Sequence, residues 1–565
     1  MKNSFIYLTI LLCILLVYNT QSQDLKINQL EETELSKASK KGRYAGTYLD
    51  DGKFKVLYLT SAKKEGIQLD QYHFDSYLKY SDMQDVFVDD AEATNDFVWY
   101  MPKEKVEEVA PNNQKFIKAT AAFGGGMKIY LGKMIKVYYM GIFTGLNFVE
   151  EKKLKPKTGD IWRIRPSGYK TTSKIDAIST GNSFYRELDK YGNPLTAPAN
   201  SPVLAAGIIT EKIKTKGPWL TSGNQVAILA IDGKNFDDTR YNIYPLPYTA
   251  QTMGSGLGQD DNLSVLFAPL NGPTNVKSLK HFLWKDRKTH ATLMRFSDNY
   301  ELVDSVSFIN KILWASFRIL EGDESTYVIG LGKASFDGWA RNADGIQLKK
   351  VEDIQVSRVK DGKVLYSKLF SEELIESKLI VPKGEKSKNV FGQPHLQHIR
   401  EIISLPNGDS FIIAQSATGT YSLQLSSEGD LKAFYRIPRI DKKVEGIMYD
   451  YQLHMKGDNI YLVLNEQLYE HSNNAKVSHS STKLANSAGT LKTTTVKKLN
   501  EVFLQSQIVR INTNTMEISN RLIMNGKEFF TMGSFPAIFT DNAIYFTGRE
   551  KGPKGKKIYM AKIEL

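Results

Sequence analysis

One supersecondary unit recurs along this chain, a tight turn leading into a short apolar strand and then a more polar hairpin, and few architectures can absorb many copies of it. The clearest copy runs from Leu405 to Ile437. It has a turn at Pro406-Asn407-Gly408-Asp409, an apolar run Phe411-Ile412-Ile413-Ala414, and a second strand pair folded at Ser427-Glu428-Gly429-Asp430. Gly, Asn and Asp stand at these turns because they accept tight-turn dihedrals at little cost.

Eight copies of the apolar strand can be read, at 52–61, 133–141, 224–232, 262–269, 325–334, 409–416, 459–466 and 542–550. Each is rich in β-branched and aromatic residues, as a strand covered on both faces requires, and these are expected to be inner strands. Strand-turn-strand segments with alternating side chains follow most of them, at 69–86, 160–175, 291–308, 354–370, 420–437 and 506–523, and suit half-exposed outer strands. The third copy has only 240–248 after it, where Pro245 and Pro247 predict an edge or irregular segment. The last copy ends at 556–565 before its final strand, so Asp24–Leu30 is expected to supply that strand by pairing with Ile558–Ile563.

This pattern resembles a secreted bacterial β-propeller over nearly all of residues 24–565. The resemblance implies an all-β fold: a single propeller of eight four-stranded blades, or seven if the third copy is an insertion in the fourth, closed by the N-terminal strand. It implies architecture and not activity, since propellers host many functions. Neither a WD dipeptide signature nor a sialidase-type S-x-D-x-G-x-x-W box is present. Two stacked β-sandwiches are the alternative arrangement for evenly spaced short strands.

Residues 1–22 read as a signal peptide, with Lys2, an apolar stretch from Phe5 to Tyr18, and Thr20-Gln21-Ser22 as the cleavage site. The apolar stretch is shorter than the roughly 20 residues a membrane-spanning helix needs. Export is therefore expected, to the periplasm, the outer membrane or the cell exterior, with no transmembrane segment in the mature chain. The one cysteine, Cys13, lies inside this leader, which excludes disulfides, cysteine nucleophiles and Cys-based metal sites from the remaining domain, 23–565. Insertions are expected at about 91–122 as a short helix or loop, at 185–216, and at 471–500, a Ser/Thr/Asn/Lys-rich segment without Asp or Glu that reads as a flexible cationic loop. A formal net charge of +12 favours anionic partners. No nucleic-acid-binding motif accompanies it.

No catalytic motif emerges, and no cofactor is expected. Gly124-Gly125-Gly126 has neither Walker nor dinucleotide spacing and reads as a strand bend. Gly254–Asp261 holds one imperfect copy of a calcium-binding Gly/Asp repeat, making Asp260 and Asp261 the single calcium candidate. His395 and His398 are spaced H-x-x-H without a third ligand nearby. Asp237, Asp238, Asp260, Asp261, Asp337 and Asp344 fall in loops, where Asp is an ordinary turn residue as well as a possible acid or base. The binding candidates are Asp337, Trp339 and Arg341 in Phe336–Asn342, together with Trp219, because Trp and Arg are the types in which binding energy concentrates. Two functions follow: a non-catalytic scaffold that binds a protein of the cell envelope or an anionic surface polymer, or a lyase or hydrolase acting on an anionic polysaccharide.

Overall fold

A computed structural model of the chain describes residues 24–63, 66–89, 115–121, 127–134, 146–154, 161–170, 203–211, 223–231, 240–257, 263–269, 290–297, 301–322, 325–334, 339–342, 345–348, 350–385, 398–416, 418–440, 450–469, 477–483, 490–496, 502–524, 529–531, 537–550 and 555–565. These residues form antiparallel sheets and one short helix. After β1 (Gln29–Glu34), the strands β2 (Arg43–Asp50), β3 (Lys53–Lys63), β4 (Gly66–Phe74) and β5 (Tyr80–Asp89) make a four-stranded sheet in chain order. Three more, β6 (Lys115–Ala121), β7 (Met127–Met134) and β8 (Leu146–Leu154), make the next. A seven-stranded meander follows, from β9 (Ile161–Lys170), β10 (Val203–Glu211), β11 (Gly223–Ile231) and β12 (Arg240–Leu257) to β13 (Leu263–Pro269), β14 (His290–Phe296) and β15 (Leu302–Ile309).

The next sheet takes β16 (Leu313–Glu321), β17 (Thr326–Lys333), β20 (Asp353–Lys360) and β21 (Lys363–Phe370), with a separate hairpin of β18 (Trp339–Asn342) and β19 (Gly345–Leu348) inserted between its two middle strands. Helix α1 (Glu372–Ser377) and β22 (Leu379–Ile380) lead to β23 (His398–Ser404), β24 (Ser410–Ser416), β25 (Gly419–Leu425) and β26 (Leu431–Pro438), with β22 parallel to β26. Then come β27 (Asp450–Lys456) and β28 (Asn459–Tyr469), a second inserted hairpin of β29 (Val477–Lys483) and β30 (Thr490–Val496), β31 (Val502–Asn512), β32 (Glu517–Ile518) and β33 (Leu522–Met524). The last strands are β34 (Phe529–Thr531), β35 (Ala537–Phe539), β36 (Ala543–Glu550) and β37 (Lys557–Glu564), which join β27, β28 and β31–β33 in one ten-stranded sheet with β1 at its edge.

The turn chemistry explains the hairpins. Asp51 and Gly52 have φ of 47° and 73°, and Asp361 and Gly362 have 50° and 68°. Two successive positive φ values give the two-residue turn whose twist matches the flanking strands. Between hairpins, the strand that lies second in its sheet is the most apolar. Every residue of β24 is buried, as are the first seven of β17. This corrects the expected strand order, because the runs at 409–416 and 325–334 are second strands rather than inner ones. A less apolar strand precedes each, such as β16 or β23, and its weaker pattern resembles a connection.

Burial on both faces follows from the stacking of sheets. Apolar clusters join neighbours in turn: Leu266 and Phe308 with Val328 and Val359; Tyr327, Ile329 and Val356 with Ile412, Tyr421 and Leu423; Phe411 and Tyr435 with Leu462 and Val509. The series continues with Tyr461 and Val463 against Ile544, Phe546 and Tyr559, and with Ile558 and Met560 against Phe54, Tyr58 and Tyr72. At about 1.5–3 kcal/mol for each fully buried side chain of this kind, these seams dominate the cohesion between sheets. Fit is close enough that Gly429, at φ +84°, has no room for a Cβ, which would lie 2.5 Å from the Tyr366 ring of the preceding sheet.

The N-terminal segment joins the last sheet, but with bounds shifted from those expected. Gln29 to Glu34 pair with Lys562 to Lys557, whereas residues 24–28 lie before the strand. Leu25 is instead buried beside Tyr461 and Met524. The two-proline segment proves irregular as read: Pro245 sits opposite Gln225, and the register then skips to Ala250 opposite Gly223. Beyond that skip the same strand pairs with β13, so the third and fourth copies share β12. Four other segments differ from what was expected. Residues 160–175 do not fold back on themselves, since β9 pairs with β10. The region 91–122 contains β6, and 185–216 contains β10. The cationic segment 471–500, read as a flexible loop, contains the β29–β30 hairpin, in which Val477 faces Val496 and Lys483 faces Thr490. No helix among the described residues is long and apolar enough to cross a membrane.

Candidate functional site

Antiparallel alternation sorts the connections of β16–β33 by end. The tight turns Asp361-Gly362, Asn407-Gly408 and Lys456-Gly457-Asp458 lie at one end of their sheets. At the other lie the β17–β20 and β28–β31 connections, which carry the two inserted hairpins, and the links from one sheet to the next. That second end forms a charged rim.

Around the first hairpin, Lys333 closes β17 and pairs with Glu352 at 2.8 Å, while Lys350 pairs with Glu372 of α1. Asp353, 8% exposed, accepts the Ala334 N–H at 2.5 Å. Burial raises the Asp353 carboxyl pKa and Glu352 adds to the rise, opposed by the Ala334 N–H and by Lys333. The helix itself is capped by Ser371, whose Oγ accepts from the Leu374 N–H. Between Lys333 and Lys350 in sequence lies the β18–β19 hairpin, with Trp339 opposite Leu348 and Arg341 opposite Ile346. Two of the candidate binding residues are therefore strand positions rather than loop positions.

A second charged group on the rim joins the sheets of β26 and β28. Arg439 and Glu466, each 2% exposed, approach to 3.7 Å. Both Glu466 oxygens accept the Ile440 N–H, at 3.1 and 3.0 Å, and Oε1 also accepts from Gln507 at 2.8 Å. Gln507 donates in addition to the Pro438 carbonyl at 3.0 Å, a carbonyl that Arg521 reaches at 3.1 Å while pairing with Glu385. This carboxylate accepts from the Ile440 N–H and the Gln507 amide beside the Arg439 guanidinium, an arrangement that fixes the Pro438–Ile440 backbone. Its members come from five stretches of the chain, so no spacing announces it. Glu466 and Gln507 in strongly apolar strands were the only signal.

Asp337 and Trp219 lie outside the described residues, as do Asp260 and Asp261, Gly124–Gly126, Asp237, Asp238, Asp344 and His395. His398 opens β23 opposite Gln415. Among the described residues no group of three or more His, Cys, Asp or Glu is gathered closely enough to hold a metal ion.

No family model matches the chain, and no curated protein does. Among solved structures, it is similar to a member of the DUF4221 family from Bacteroides vulgatus at 9% identity, covering 96% of this chain and 97% of that one, with a TM-score of 0.24. A puromycin-hydrolyzing peptidase of Mycobacterium tuberculosis aligns at 11% identity over 91% of this chain and 59% of its own, TM-score 0.24. The NanB sialidase of Streptococcus pneumoniae aligns at 11% over 76% and 67%, TM-score 0.21. The chain thus spans less than two thirds of the peptidase's length. The fold described above rests on its own strand pairing and core packing.

Proposed function

We propose that the stacked sheets close into a single eight-bladed propeller and that the protein is an exported, non-catalytic scaffold. Its partner is a protein of the cell envelope or an anionic surface polymer, bound at the rim. The observation that carries this reading is the β18–β19 hairpin, which places Trp339 and Arg341 on an insertion between the two middle strands of a sheet, with the Lys333–Glu352 and Lys350–Glu372 pairs on residues that flank it in sequence. A hairpin tethered at both ends next to ion-paired residues has less freedom to lose on binding than an open loop, which lowers the ordering cost. Trp and Arg are the residue types that concentrate binding energy.

The test is co-purification of the tagged protein from cross-linked envelopes of its own cells, with wild type and a Trp339→Ala/Arg341→Ala variant compared. A stoichiometric partner captured by wild type and lost by the variant supports the scaffold. Cleavage of an acidic polysaccharide by the purified wild-type protein overturns it in favour of an enzyme.

A further inference from the structure

Strand β5 differs from the other outer strands. It is the terminal strand of its sheet and pairs, among the described strands, with β4 alone. Outer strands elsewhere alternate in exposure, as in β1, or carry buried residues along their length, as in β15 and β21. In β5 every residue from Tyr80 to Asp85 is exposed, so both faces meet solvent. Large apolar side chains lie along it: Met83, Phe87 at 50% exposure, and Tyr77 at 77% in the turn that leads in. Asp82, Asp85 and Asp89 lie on the same strand, and no Lys or Arg occurs between Tyr80 and Met101. In a chain of net charge +12 this is a local reversal of sign.

The complementary element is on the same chain. Residues 471–500 hold five lysines and no Asp or Glu, and their β29–β30 hairpin is a two-stranded sheet that pairs with no other described strand. An open edge recruits an extended strand through its main-chain groups, with side chains choosing which one. Aspartates on an edge discourage pairing with most strands. A lysine-bearing strand reverses that repulsion into attraction. Within the hairpin, β29 carries Lys483 and β30 carries Lys492.

We propose that the β5 edge of one molecule takes the β29–β30 hairpin of a second copy of this chain. The two surfaces differ, so each molecule offers one edge and one hairpin, and the contact closes as a reciprocal pair or a larger ring, or continues as an open chain.

Sedimentation velocity on the full chain, at low and high salt, tests this with two variants. One reverses the edge (Asp82→Lys, Asp85→Lys, Asp89→Lys); the other replaces Val477–Val496 with a short Gly-Ser turn. Wild type is expected to form dimers or larger species at low salt and to dissociate as salt screens the contact, with affinity falling roughly tenfold or more. Each variant alone is expected to be monomeric. Mixed, they should form a one-to-one complex and nothing larger, because one intact edge meets one intact hairpin. Should the hairpin replacement fail to fold, a variant with Lys476, Lys483, Lys492, Lys497 and Lys498 changed to Gln takes its place. A wild-type monomer at low salt, association that survives loss of the hairpin, or variants that stay apart when mixed would each overturn the proposal.

Discussion

The side-chain amide of Gln452 holds both main-chain groups of Ala537 in the adjoining part of the last sheet, donating to its carbonyl at 2.9 Å and accepting its N–H at 2.9 Å. Gln355 makes a related contact three junctions earlier, donating to the Ile309 carbonyl at 2.8 Å and accepting the Lys311 N–H at 2.8 Å. A primary amide is the one side chain that matches a peptide unit donor for acceptor. Because the Gln452 contacts are buried, Gln452→Leu is expected to strand both Ala537 groups and cost about 2–4 kcal/mol. Urea unfolding of the purified protein measures it, and a loss below about 0.5 kcal/mol would show that water replaces the amide.

Glu466 and Arg439 should behave as a buried pair. Glu466→Ala leaves the guanidinium without its carboxylate and is expected to cost about 3–5 kcal/mol. The double variant Glu466→Leu/Arg439→Met should be less destabilised than Glu466→Ala alone, because both desolvation costs leave together. Unfolding midpoints across the cycle decide the matter.

Asn520 fixes the N-terminal segment, accepting the Leu25 N–H at 2.9 Å and donating to the Leu25 carbonyl at 3.3 Å. Asn520→Ala should speed amide exchange across 24–34 while leaving β36 protected. Leu25→Ala should add a core loss of about 2–4 kcal/mol. Equal exchange rates in wild type and Asn520→Ala would count against the clamp.

Alkaline pH should unfold the protein through its tyrosines. Burial pushes the Tyr44 phenol up to about 12, and raises Tyr58, Tyr366, Tyr421 and Tyr435 further. Their unfolded value is near 10, so the neutral phenols contribute stability in full below that pH, and it is lost as pH rises through the folded values. Phenolate absorbance should therefore rise in two phases, the later one coinciding with loss of the sheet signal. A single phase near pH 10 with the fold intact would contradict the burial.

The apolar second strands were legible in the sequence because stacking on both sides demands an uninterrupted run, as at Phe411–Ala414. Their partners were not, since a first strand such as β23 carries Arg400 and Glu401 and reads as a link. Pro245 and Pro247 announced the irregularity in β12, but the sharing of that strand depends on a register skip that no local pattern encodes. On the rim, Trp339 and Arg341 stood out by residue type. The Arg439–Glu466 contact did not, because it is assembled from opposite sides of a junction between sheets.

The partnership of β1 with β37 also sets an order in time. Gln29–Glu34 leaves the ribosome long before Lys557–Glu564 exists, about half a minute to two minutes at ordinary elongation rates. Throughout that interval the segment is a strand without a sheet. Its three glutamates, in QLEETE, suit the wait: they keep a strand-competent sequence hydrated and unattractive to passing edges until its own partner is made.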